Sequence, residues 1–318
     1  MADSPIESVP QAPRASRTAV ITSLMRALHT RFDRPALIQD DWGDRLATGE
    51  EKRALASWAL GVDPAGADSA SDGRAKMPNA GSPELILYTA WRDLGVYGGV
   101  VIRSRYTEDR VAEAVARGVR QYVLIGAGLD SFALRRPGFA RDLAIYEVDH
   151  PASQEDKRRR IEASGAAIPA GAVHFVAADL AAVSLEEALR GAGFRMDEPA
   201  IFSWLGVTVY LTREANFATL RSVGRFAKGS ELVFTYLEQR MLDSDSPAMR
   251  RARAGAAALG EPWIGGFDLA TLPGDLRALN LELIEDLGHE EMTARYCAGR
   301  SDALTPGRAG RICTVRVV

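Results

Sequence analysis

The chain has 318 residues, of which 47% are hydrophobic and 25% charged, with 39 basic against 42 acidic side chains. That length is enough to bury a full core, and a net charge of -3 gives no general attraction to nucleic acid or to an anionic membrane. No apolar run approaches the roughly 20 residues that span a bilayer, and residues 1–16, MADSPIESVPQAPRAS, lack the basic start and apolar centre of a secretory signal. They read as a disordered tail. Cys297 and Cys313 stand 16 apart without metal-ligand spacing and read as reduced thiols, so the expected setting is cytoplasmic.

From Thr18 to about Leu60, the residues Val20, Leu24, Leu28, Leu37 and Leu46 recur at helical spacings among charged neighbours. This predicts short helices and no strand. Residues 61–83, GVDPAGADSASDGRAKMPNAGSP, have no periodicity and are rich in Gly, Ala, Ser, Asp and Pro. They are expected to form a mobile surface loop, and a loop of that length is a candidate lid. Helical pattern returns over 84–102, and 107–119, TEDRVAEAVARGV, reads as a separate helix capped by Thr107 with Gly118 just past its end.

From Gln121 onward, strand-like and helix-like segments alternate. QYVLIG (121–126), LAIYEVD (143–149), VHFVAADL (173–180), AIFSWLGV (200–207) and SELVFTYLE (230–238) are the strand candidates. Helical segments lie between them, one opening at Pro151 and others capped by Ser184 and Thr212. Apolar runs separated by helices predict an α/β fold with a doubly wound, mostly parallel sheet. LELIEDLG (281–288) and RICTVRVV (311–318) read as a closing strand pair, which brings the expected sheet to seven strands.

In such a sheet ligands lie beyond the carboxyl ends of the strands. Strand one ends in Gly126, Ala127, Gly128 and Asp130; strand two in Glu147 and Asp149; strand three in Asp179 and Leu180; strand four in Trp204, Leu205 and Gly206. Glycines let backbone approach a ligand. Asp149, 23 residues after Gly126, is placed to accept from ribose hydroxyls, and Asp179 can accept from an exocyclic adenine amine. These residues describe a nucleoside pocket. A dinucleotide suits it poorly, because the third glycine of G-x-G-x-x-G is here Ser131 and Asp130 would face the pyrophosphate. A cofactor bearing an amino acid and a sulfonium cation meets no such repulsion, which puts S-adenosylmethionine ahead of a nicotinamide cofactor.

Seven motifs carry a family resemblance over nearly the whole chain: RTAVITSLMRALHTRFDRPALIQDD (17–41), IRSRY (102–106), GVRQYVLIGAGLDSFALRRP (118–137), YEVDHP (146–151), ADL (178–180), WLGVTVYLT (204–212) and GEPW (260–263). In this order they resemble the leucine carboxyl methyltransferase family, in its bacterial S-adenosylmethionine-dependent branch. The resemblance implies a class I methyltransferase fold, Rossmann-like, with an N-terminal helical cap and lid insertions. It divides the chain into a tail (1–16), a cap (17–106) with the mobile loop 61–83, and a methyltransferase domain (107–318) with a lid insertion at about 240–267. The implied cofactor is S-adenosyl-L-methionine, with S-adenosyl-L-homocysteine as product. The implied reaction is methyl transfer to an oxygen, often a carboxylate, of a small-molecule acceptor in secondary metabolism. A protein carboxyl methyltransferase and a cofactor-binding homologue without catalysis are the alternatives. No nucleic-acid or membrane partner is expected, and the oligomeric state is not legible.

Residue by residue, the resemblance makes Arg103 the partner of the cofactor's carboxylate, with Arg105 as fallback. Gly126, Ala127 and Gly128 would lie beneath the methionine moiety, with Asp130 orienting Arg103 or a loop amide. Asp149 would hold the ribose, and Asp179 and Leu180 the adenine. Leu205 stands where family members commonly carry a glutamate associated with the reaction centre. Its presence leaves open a relocated contact, a different acceptor or weakened catalysis. A carboxylate acceptor needs no general base, whereas a phenol of pKa about 10 would benefit from one. His150 and Tyr210 are the catalytic candidates, against plainer roles as a helix-start residue and a packing residue. His29, His174 and His289 show no pairing that suggests metal or triad chemistry, and no metal site is expected.

Overall fold

The computed structural model describes residues 16–61, 81–166, 168, 171, 173–302 and 304–318. The expected tail up to residue 15, and most of the expected loop and lid (62–80), lie outside the described residues.

The chain opens with five helices: α1 (Arg17–Phe32), α2 (Trp42–Leu46), α3 (Gly49–Ala59), α4 (Pro83–Trp91) and α5 (Gly95–Ala116). Their starts follow local chemistry. Ser16 Oγ accepts from the Ala19 amide, Thr48 and Glu51 form a reciprocal capping box, and Ser82 caps α4 ahead of Pro83. One expectation is corrected here. Thr107 caps nothing; it lies inside the 22-residue α5 with its side chain buried. Ile102, Tyr106 and Val111 stay on a buried face across that position, so packing overrides the local capping signal.

The rest alternates as the apolar runs predict: β1 (Gln121–Ile125), α6 (Phe132–Arg135), β2 (Ala144–Asp149), α7 (Pro151–Ala163), β3 (Val173–Ala177), α8 (Leu185–Gly191), β4 (Ile201–Trp204), α9 (Arg213–Val223) and β5 (Glu231–Leu237). Then come α10 (Gln239–Leu242), α11 (Pro247–Ala258), α12 (Leu272–Arg277), β6 (Leu281–Leu287), α13 (His289–Tyr296) and β7 (Gly310–Val317). The seven strands form one sheet in the order β3-β2-β1-β4-β5-β7-β6. The pairings among β1 to β5 are parallel, and β7 runs antiparallel between β5 and β6. The closing pair is therefore present, with the last strand inserted between β5 and β6.

Strand alternation feeds two cores. Val123, Ile125, Val148, Phe202 and Phe234 pack on one face with α8, α9 and α12, while Tyr122, Leu124, Ile145, Ile201 and Val233 pack on the other with α5. A third core joins α1 to α4 with the first turns of α5 through Leu24, Leu28, Trp91, Tyr97 and Val101. α5 thus belongs to the cap at one end and to the sheet at the other. Strand order reverses between β1 and β4, and the crevice beyond their ends is where such a sheet binds ligands.

Candidate active site

β1 runs into a turn that two glycines make possible: Gly126 has φ +65° and Gly128 φ +47°. A Cβ on Gly126 would stand 2.6 Å from Val207 Cγ2, so the absence of a side chain also lets the loop after β4 pass close by. The turn is fastened to β2. The Gly128 amide donates to Asp149 Oδ2 at 2.6 Å, and the His150 amide donates to Oδ1 at 2.7 Å. Burial raises the Asp149 carboxyl above its ordinary pKa, against the pull of those two amides and of Lys157. Asp130 Oδ1 accepts from the Phe132 amide at 2.8 Å, so of its two expected partners it takes the loop amide. Beneath the turn, Lys157 Nζ donates to the Asp130 carbonyl at 2.7 Å and to Glu147 Oε2 at 2.5 Å, a pair almost wholly buried.

Arg103 projects from α5 towards the same place. It makes no hydrogen bond or ion pair among the described residues, and its guanidinium lies over Gly206, whose φ is +71°. Burial lowers its pKa to about 10, Arg26 adds repulsion, and Tyr210 and Asp130 act the other way. The group stays charged at neutral pH. Arg105 is different: it is exposed, pairs with Asp109 at 2.9 Å and donates to the Leu37 carbonyl. The first arginine of IRSR faces the crevice and the second does not.

A cavity of about 1310 Å³ opens over the strand ends. Arg103, Gly126, Ala127, Gly128, Asp130, Asp149, Leu205 and Tyr210 all line it. Asp179 and Leu180 are not in its wall. Asp179 is exposed and its carboxylate accepts from the Ala181 amide at 2.9 Å, while Leu180 packs on the sheet core. His150 is not in the wall either, because its Nδ1 is turned to the Ala152 amide as the cap of α7. Burial holds the Tyr210 hydroxyl above its ordinary pKa, although hydrogen bonds from Thr18 and Trp263 and the charge of Arg103 oppose it.

Sequence reasoning missed three features. The cap is tied to the glycine turn by Arg26, which donates to Asp40 Oδ2 at 2.7 Å and to the Leu129 carbonyl at 2.8 Å, and Ser131 Oγ donates to the same Asp40 oxygen at 2.6 Å. His29 is paired after all: its Nε2 accepts from the Leu37 amide and its Nδ1 donates to Asp33, which also accepts from Tyr88 and Tyr97. That cluster is buried in the cap and no part of it lines the cavity. His289 does line the cavity, and its Nδ1 donates to the Pro306 carbonyl at 3.0 Å. The Arg26–Leu129, Ser131–Asp40 and His289–Pro306 contacts join residues 17 to 103 apart and have no local sequence signal, whereas His29 and Asp33 are an i,i+4 pair that helical spacing could have shown. Among the described residues no group of His, Cys, Asp and Glu could hold a metal ion, and no helix is long and apolar enough to cross a membrane.

Comparison with known proteins accords with this geometry. Residues 19–224 match the leucine carboxyl methyltransferase family. A Bacillus subtilis protein provisionally named an S-adenosyl-L-methionine-dependent methyltransferase is 29% identical over 92% of this chain and 94% of its own. A Parafrankia protein with the same provisional name is 35% identical over 68% of this chain and 61% of its own. A solved Thermobifida fusca structure, provisionally described as a methyltransferase, superposes with TM-score 0.56 at 16% identity, covering 98% of this chain and 99% of that one. The chain belongs to the leucine carboxyl methyltransferase family and has the class I methyltransferase fold.

Proposed function

We propose that this methyltransferase moves the methyl group of S-adenosyl-L-methionine to an oxygen, in the first place a carboxylate, of an apolar small molecule. Arg103 carries the reading. A charged guanidinium held in a cavity without an ion pair among the described residues is a site made for an anion, and a carboxylate can take two parallel hydrogen bonds from it. The glycine turn and Asp149 lie within the same wall. The glycine turn gives close backbone approach, and Asp149, fixed by two amides, keeps lone pairs free for ribose hydroxyls. Ser153 on α7 also lines the cavity, whereas Asp179 does not.

When bound, the cofactor supplies a methyl group already activated on a sulfonium. The protein's part is to hold the acceptor in line and exclude water. The residues following β4 favour an acceptor that is already ionised: Leu205 is apolar, and burial makes Tyr210 a reluctant acid. A carboxylate is ionised at neutral pH without help. Met241, Met249 and Trp263, from the expected lid insertion, line the cavity and suit an apolar acceptor beneath a cover.

Calorimetric titration with S-adenosyl-L-methionine, S-adenosyl-L-homocysteine and NADH, followed by mass-spectrometric search for methyl esters in a panel of carboxylic acids, tests the reading. Binding of the first two ligands with ester formation is expected. Binding of NADH alone would overturn it.

A further inference from the structure

The cavity extends well past the residues assigned to the cofactor. From β4, beyond whose end Gly206 lies against the Arg103 guanidinium, the sheet continues through β5 and β7 to β6, and α13 begins with His289, two residues after β6 ends. Three interstrand steps of about 4.8 Å place the end of β6 roughly 14 Å across the sheet from the end of β4. Much of the rest of the cavity wall is apolar or already satisfied. Leu237, Met241, Met249 and Met292 line it. Arg311 is paired with Asp286 and Glu238, and Tyr236 donates to Asp286.

The far end differs. Residues 305–307 lie directly on the first turns of α5: a Cβ on Gly98 would stand 2.1 Å from the Thr305 carbonyl oxygen, and one on Gly95 2.6 Å from Gly307 Cα. The Pro306 carbonyl in this clamped segment accepts from His289 Nδ1, which leaves Nε2 uncommitted among the described residues. The next residue but one, Arg308, is exposed, lines the cavity and carries no hydrogen bond or ion pair among the described residues. An exposed guanidinium two residues beyond Pro306 and the uncommitted nitrogen of an imidazole whose ring is hydrogen-bonded to that segment therefore line the same cavity. Arg251 on α11 is a second unpaired cation in the wall, but nothing ties it to His289.

We infer that the acceptor is an elongated apolar molecule carrying a second anionic group, remote from the methylated oxygen, which Arg308 holds beside His289. This rests on the carboxyl methyltransfer reading for what happens at the near end, but the far subsite has its own readout. Dodecanoic and dodecanedioic acids, which differ only in a second, remote carboxylate, are titrated into the full chain saturated with S-adenosyl-L-homocysteine. The diacid is expected to bind about tenfold more tightly, the scale of one charge-assisted hydrogen bond. That preference should disappear in Arg308→Gln, return in part in Arg308→Lys, and persist in Arg251→Gln. Equal binding of the two acids, or loss of preference in Arg251→Gln with Arg308→Gln unaffected, would overturn the inference. Ester formation is followed in parallel with the methyl donor. Tighter diacid binding without any methyl ester leaves the far subsite standing and removes the carboxyl methyltransfer reading. Esters from both acids with equal binding do the reverse.

Discussion

Arg103 occupies the space that a side chain at position 206 would need: a Cβ on Gly206 would stand 2.7 Å from Nη1 and 3.0 Å from Cζ of the guanidinium. Residue 206 is also left-handed, with φ +71°, a conformation that costs an L-residue about 1–2 kcal/mol. Gly206→Ala is therefore strained twice. It should lower the thermal midpoint and weaken S-adenosyl-L-homocysteine binding about tenfold or more, because the guanidinium must move. A lower midpoint with unchanged affinity would show that Arg103 does not touch the ligand.

Arg103→Gln separates binding from folding. The guanidinium has no described partner to lose, and its burial already works against its charge. Removing it should leave the thermal midpoint of the free protein unchanged or slightly raised. Ligand affinity should fall by about 2 kcal/mol, the scale of a charged hydrogen bond. Calorimetry and thermal melts on the same samples check both halves. A collapse of the melt with affinity intact would make Arg103 a structural residue.

How much of this was legible in the sequence depends on how far apart the partners stand in the chain. The parallel strands announce themselves as short apolar runs, because β1, β2, β4 and β5 are buried on both faces over most of their length and nothing distant is needed to see them. The glycine turn and Asp149 are likewise local. Thr107 misled, since a threonine followed by acids imitates a cap wherever it falls, and only the packing of α5 decides otherwise. Asp179 lies near Asp149 at the end of β3, where its carboxylate accepts from the Ala181 amide in its own turn, a local bond that the sequence does not announce. Arg308 and His289 had no signal at all, because 205 and 186 residues separate them from Arg103.

Asp40 gives the fold an acid limit. It is fully buried, and burial alone would raise its pKa, but Arg26, Arg135 and Ser131 together bring it below the ordinary carboxylate value. A depressed folded-state pKa means stability that is present above the unfolded value of about 4 and is lost as pH falls through the folded value. Asp33 adds to the same trend: burial opposes, and His29, Tyr88 and Tyr97 outweigh it. The thermal midpoint should therefore decline below about pH 4. Asp40→Asn should lower the midpoint at pH 7, by about 3 kcal/mol of stability, and flatten part of the acid slope. An unchanged slope in the variant would place the acid sensitivity elsewhere.

Lys157 and Glu147 form the support under the glycine turn, and their burial makes the pair easy to break and costly to leave half-broken. Glu147 Oε1 already has no hydrogen-bond partner among the described residues, and burial raises its pKa despite Lys157. Lys157→Met strips the remaining partner and should cost about 3–5 kcal/mol in urea unfolding. Adding Glu147→Leu removes the stranded carboxyl, so the double variant should regain most of that loss. It should not regain ligand affinity, because Lys157 Nζ also holds the Asp130 carbonyl, and with it the end of the turn, at 2.7 Å. A double variant as unstable as the single one would show that the cost came from packing at Lys157 rather than from the buried charge. Recovery of affinity along with stability would show that the turn keeps its shape without the lysine.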